Sequence, residues 1–206
     1  MEISKRKLVV VALTVSMAVA VSQGIAAPGK SQGAGGFEPS ADHAESVVIT
    51  MQSNPVSGYD PEPENLDVAW EALAQSAEPA CVALQIGINL LMDTVPSREG
   101  PAAVVPVDGV ILFPTVDGIE LINPANGTPG SDDGPLNELV CTTPAGPATG
   151  TLNGLLQAFI GAGGQVLSCP LCAGPRLMGE PPNFGGIADG EEVHNLFLYA
   201  DKVIDF

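Results

Sequence analysis

The sequence predicts a layered α/β domain with a mainly parallel sheet. Three observations point there. Short apolar runs rich in β-branched residues alternate with segments whose apolar residues recur at three- and four-residue steps. The runs carry few polar residues, as strands buried on both faces do. Their order is strand, helices, strand, helix, strand, helix, strand, the order of crossover units.

The elements follow in turn. "ESVVITMQSNP" places a buried strand at Val47–Met51, closed by Asn54-Pro55. "VSGYDPEPEN" is loop. From Glu64 the period becomes helical, with Leu66, Ala69, Trp70, Leu73, Ala74 and Ala77 on one side. Pro79 interrupts, and a second, more buried helix is predicted from about Ala80 to Met92. After a loop, "VVPVDGVILFPTVDGIELINP" gives a central strand near Gly109–Phe113, then a turn at Asp117-Gly118 and a short continuation. Asn123 to Pro135 is a turn-rich insertion. Asp132 and Asp133 within it lack the spacing of a calcium loop.

"CTTPAGPATG" is a Pro- and Gly-rich connection holding Cys141. "TLNGLLQAFIGAGG" is an amphipathic helix stopped by Gly161, Gly163 and Gly164. "QVLSC" is a strand, "PLCAGPRLMG" a turn and short helix, and "EPPNFGGIADG" a loop. "EEVHNLFLYA" is a helix with acids at its positive end, and "KVIDF" a final strand.

Ahead of all this lies a leader. Lys5, Arg6 and Lys7 precede an apolar run, Leu8 to Val21, and then small residues. That layout is a secretory signal peptide over residues 1–26, cut between Ala26 and Ala27. The run is shorter than the roughly 20 apolar residues a spanning helix needs. Residues 27–44 are a Gly-, Ser- and Pro-rich tether carrying His43. The folded domain is 45–206. We therefore expect a periplasmic or secreted protein with no membrane contact beyond the signal segment.

Charge narrows the partners. The chain has 7 Lys+Arg against 24 Asp+Glu. Without Glu2, Lys5, Arg6 and Lys7, four basic and 23 acidic residues remain. Such a surface repels phosphate backbones and anionic lipid heads, so nucleic acid is not an expected partner. The acidity serves solubility, or tolerance of a saline medium.

The chemistry lies with the cysteines: Cys81, Cys141, Cys169 and Cys172. Export makes disulfides the default, as Cys169–Cys172 or Cys81–Cys141. A thioredoxin fold fails on length. Only 34 residues follow Cys172, where two helices and three strands would be needed. Zinc sites usually present two paired knuckles, whereas Cys81 and Cys141 are isolated, so neither a metal nor a cofactor is expected. His194 reads as a packed or half-exposed helix residue, since no catalytic motif surrounds it.

In an open parallel sheet, strand carboxyl ends and helix amino ends share the ligand-binding edge. Cys169 ends the strand "QVLSC", Cys172 lies in the next turn, and Cys81 opens the predicted second helix. All three are candidate site residues there, because a helix amino end favours the nucleophilic thiolate.

The segments "VVIT", "VDGIELI", "LLQAFIGAGGQVLSCPLCAGPRLMG" and "GGIADGEEVHNLFLYADKVIDF" resemble the DsrE/DsrF family. That family includes the TusD-type sulfur-relay proteins and the so-called predicted peroxiredoxins. The likeness covers the last fifty or so residues best. It implies a three-layer α/β domain that assembles into oligomers, here a homo-oligomer. It also implies that Cys169 takes up sulfane sulfur as a persulfide, from a donor protein or small polysulfide, and that Cys172 resolves it. Cys81 stands as a further acceptor. The chain departs from the cytoplasmic relay members in its export signal and in an acidic insertion at Ser131–Gly134, so its donor and acceptor would be different ones. The alternative is a non-catalytic binding or assembly domain of the same fold with a structural Cys169–Cys172 disulfide.

Overall fold

The computed structural model describes residues 46–57, 59, 66–97, 99–129, 133–143 and 146–206. The leader, the tether and the first half of the acidic insertion lie outside these residues. In chain order the elements are β1 (Ser46–Met51), α1 (Leu66–Leu91), β2 (Thr94–Val95), β3 (Ala102–Ala103), β4 (Gly109–Pro114) and a 3₁₀ turn (Val116–Leu121). Then come a second 3₁₀ turn (Pro124–Asn126), α2 (Pro135–Glu138), β5 (Val140–Thr143), β6 (Gly146–Thr151) and α3 (Leu152–Gly161). The chain continues through β7 (Gln165–Ser168), α4 (Pro170–Leu177), β8 (Gly186–Ile187), α5 (Gly190–Tyr199) and β9 (Lys202–Asp205).

Five strands form one parallel sheet in the order β8-β7-β4-β1-β9. Its central members are the apolar runs of the sequence, and every residue of β1 is buried. Side chains alternate between two faces. Val47, Ile49, Met51, Val110 and Leu112 join the large core beneath α1 and α3, while Val48, Ile111 and Phe113 join a smaller one beneath α5. Helices cover both faces, so the domain is a three-layer sandwich, as expected. The layers are unequal. On the α5 side Phe113 meets Phe197 edge to face, with centroids 5.3 Å apart.

Pro79 does not divide the helix. α1 runs through it for 26 residues, about 39 Å at the usual rise. A proline deprives the carbonyl four residues earlier of its partner. Here that residue is Gln75, which is exposed. Beyond Pro79, the burial of Ala80, Cys81, Ala83, Leu84 and Ile88 carries the helix on. At Gly87 a Cβ would lie 2.7 Å from the Phe159 ring, so only glycine lets α1 approach α3 this closely.

Three other expectations change. The continuation after β4 is a 3₁₀ turn, not a strand. The Pro- and Gly-rich connection around Cys141 is the antiparallel hairpin β5–β6, and the loop before α5 contributes the two-residue strand β8. The insertion after Asn123 is held by side-chain amides. Asn126 donates to the Glu120 carboxylate, and Asn153 donates to the Thr128 carbonyl at 3.1 Å. Among the described residues no helix is long and apolar enough to cross a membrane.

Candidate functional site

The site forms where β7 ends. Cys169 is the N-cap of α4 and Pro170 its first residue, where a missing N–H costs no intrahelical bond. The backbone of Cys169 is fixed on both sides. Its N–H donates to the Pro114 carbonyl at the end of β4 (3.1 Å), and its carbonyl accepts from Cys172 (3.2 Å) and Ala173 (2.9 Å). Cys169 and Cys172 are free thiols, each half-buried. They meet at the junction of two layers. Cys169 packs against the α5-side core, and Cys172 against the core beneath α1 and α3.

The two thiols are not equivalent. Burial pushes the Cys172 thiol above its ordinary value, and its hydrogen bond with the Cys169 sulfur pushes it further. The Val116 backbone N–H and the Arg176 charge oppose this without overcoming it. Cys172 therefore holds its proton more tightly than an ordinary thiol.

A turn from the neighbouring strand completes the site. Val116 has φ 47°, a left-handed conformation that costs a β-branched residue about 1–2 kcal/mol. Thr115 N–H donates to the Met51 carbonyl (2.9 Å), so the turn lies across the end of β1. At Gly118 a Cβ would fall 2.1 Å from that same carbonyl oxygen, which leaves room only for glycine. Arg176 forms an ion pair with Asp117 that ties α4 to the turn. The Asp117 hydrogen bond raises the Arg176 pKa and keeps the guanidinium charged.

Cys81 is elsewhere. The expectation that it opens a helix at this edge followed from breaking the helix at Pro79. It sits instead in the body of α1, 8% exposed, and is bonded to Cys141 on β5 with Cα atoms 5.5 Å apart. The pair joins residues 60 apart in sequence. Of the two disulfides the sequence allowed, this is the one that forms, and it withdraws Cys81 from the set of free thiols. His194 is an exposed residue of α5. Among the described residues no group of three or more His, Cys, Asp or Glu is gathered as for a metal ion.

Sequence reasoning brought Cys169 and Cys172 together and missed their surroundings. Arg176 was legible in retrospect, four residues after Cys172 and so on the same face of a short helix. Asp117 and Val116 come from a different strand, and no local signal links them to the cysteines.

No family model matches the chain, and no curated protein matches it. Among solved structures it is similar to the ychN protein from E. coli, at 16% identity. The alignment covers 79% of this chain and 98% of that one, with a TM-score of 0.35. A score of that size leaves the fold resting on the strand order itself.

Proposed function

We propose that this chain is an exported sulfur-handling protein of the DsrE/DsrF type, in which Cys169 accepts sulfane sulfur as a persulfide. The observation that carries the reading is the free, half-buried dithiol at the carboxyl edge of the sheet. The Cys169 thiolate attacks the sulfane sulfur of a donor, and the donor leaves with its electron pair. Cys169–S–S⁻ then hands its outer sulfur to an acceptor thiolate. Where no acceptor arrives, the Cys172 thiolate attacks the inner sulfur, releasing hydrosulfide and leaving a Cys169–Cys172 disulfide. The raised pKa of Cys172 slows that second attack at neutral pH and so prolongs the loaded state.

The resemblance in segment order supports the family. Export is supported by the leader at 1–26 and by the Cys81–Cys141 disulfide, a bond typical of oxidising compartments. Exposed Phe197, Leu198 and Val203 on the thinner layer favour a homo-oligomer.

The test is direct. The protein, reduced at Cys169 and Cys172, is treated with polysulfide in high salt and weighed intact. The expected result is a gain of about 32 Da per added sulfur that is absent from Cys169→Ser. No gain, or one that survives Cys169→Ser, overturns the persulfide reading. A domain with a structural Cys169–Cys172 disulfide would instead present no fast-reacting thiols, even after mild reductant.

A further inference from the structure

The charges around the dithiol say which class of sulfur partner it meets. Asp117 and Glu120 both act on Arg176. The carboxylates that open α5 follow directly on β8, the strand paired with β7. Ala188 shares a core with Cys169, and its N–H donates to the Ser168 carbonyl at 3.0 Å. Asp189 follows as the N-cap of α5, with Glu191 and Glu192 in its first turn. Against these five carboxylates there is one guanidinium, which acts on Cys172 and is itself paired with Asp117. Among the described residues the only other Lys or Arg is Lys202. Its register opposite Val47 puts it at the far, amino-terminal edge of the sheet.

The rim is also apolar. Leu171, between the two cysteines, and Met178, at the end of α4, are each 86% exposed, and Val116 is 47% exposed. An inorganic anion gains nothing from such side chains and is repelled by the carboxylates. A basic peptide segment gains from both.

We propose that the dithiol discriminates against anionic sulfur compounds and takes as its partner a thiol, persulfide or disulfide carried on a basic protein or peptide surface. This rests on the reading of Cys169 and Cys172 as a working dithiol. It names the substrate class that dithiol serves. With a disulfide partner the exchange balances simply. Cys169–S⁻ displaces one thiolate to form a mixed disulfide. Cys172 loses its proton to solvent and displaces the second thiolate. The protein dithiol is oxidised, and the partner disulfide is reduced to two thiols.

The test uses symmetric disulfides of three short peptides that differ only in the residues flanking the cysteine: lysine, serine or glutamate. Each rate with the full-length protein, reduced at Cys169 and Cys172, is divided by that peptide's rate with 2-mercaptoethanol. This removes differences in leaving-group reactivity. At low salt the lysine peptide should exceed the glutamate peptide by about tenfold or more, with serine between. In 1 M salt the spread should collapse to about threefold or less. Asp117→Asn, which frees Arg176, should raise the glutamate-peptide rate. A low-salt ratio below about tenfold, or a spread that salt leaves unchanged, overturns the assignment while the dithiol reading stands. If no peptide reacts, or if reaction persists in Cys169→Ser, the dithiol reading itself fails.

Discussion

The two cysteine pairs of this chain have the same atoms and opposite fates. Cys81 and Cys141 come from a helix and a hairpin far apart in sequence and meet inside the large core, where both are buried. Cys169 and Cys172 come from one turn of chain and meet at the edge of the sheet, half-exposed and unbonded. The difference teaches that placement decides whether sulfur is structural or chemical. A buried pair closing a long loop restrains the unfolded chain. A pair at a strand end, capping a short helix, has an asymmetric environment and an open side.

The comparison breaks most sharply at Cys169. Cys169→Ser should lower sulfur uptake and disulfide exchange by at least about a hundredfold, read by intact mass, and leave the thermal midpoint nearly unchanged. The converse substitution, Cys81→Ala with Cys141→Ala, should cost about 2–4 kcal/mol of stability in denaturant titration. Exchange at Cys169 should stay within about twofold, since Cys169 itself packs on the opposite face of the sheet. A large loss of exchange there would mean that the pairs are coupled.

Gly118→Ala tests how the site hangs on the sheet. Its new Cβ meets the Met51 carbonyl, so about 1–3 kcal/mol of stability should go, together with the order of the turn beside Cys172.

Arg176→Gln is the finest probe. The Arg176 charge lowers the Cys172 pKa, so its removal should raise that pKa further and slow disulfide closure several-fold at neutral pH, with Arg176→Lys recovering most of the rate. In the wild type, closure should keep accelerating with pH beyond the point at which an ordinary thiol levels off, because the attacking thiolate appears late. The linkage has a definite sign. The folded state binds the Cys172 proton more tightly than the unfolded state, so this contribution to stability is full below the unfolded thiol's pKa and lost as pH rises through the folded one.

The legible parts of the fold were those with strong local patterns. β1, β4, β7 and β9 are apolar or β-branched runs bounded by turn residues, and α3 and α5 carry both period and caps. Thr151 accepts from the Gly154 N–H, and Asp189 with Glu192 forms a capping box. What failed was decided by distant partners. Whether Pro79 ends a helix depends on what the next two turns bury. Whether "CTTPAGPATG" is loose or a hairpin depends on the α1 surface it lies against. The misplacement of Cys81 followed from the first of these. Cys169 was legible because a strand end announces itself locally, while the turn that faces it arrives from another strand.

The order of the strands has a consequence for how the chain becomes a protein. Among the described residues β1 is the first strand, and one of its two neighbours is β9, the last. Ser46 reaches Asp201 at 2.8 Å and 3.0 Å, and Thr50 donates to Asp205, so both ends of β1 are held by residues about 155 positions away. The sheet cannot close from the front as the chain emerges. β1, next to the edge strand, stays paired on one side only until residues 202–205 join it. That side of the sheet is therefore closed by contacts of long sequence separation, the kind that form slowly.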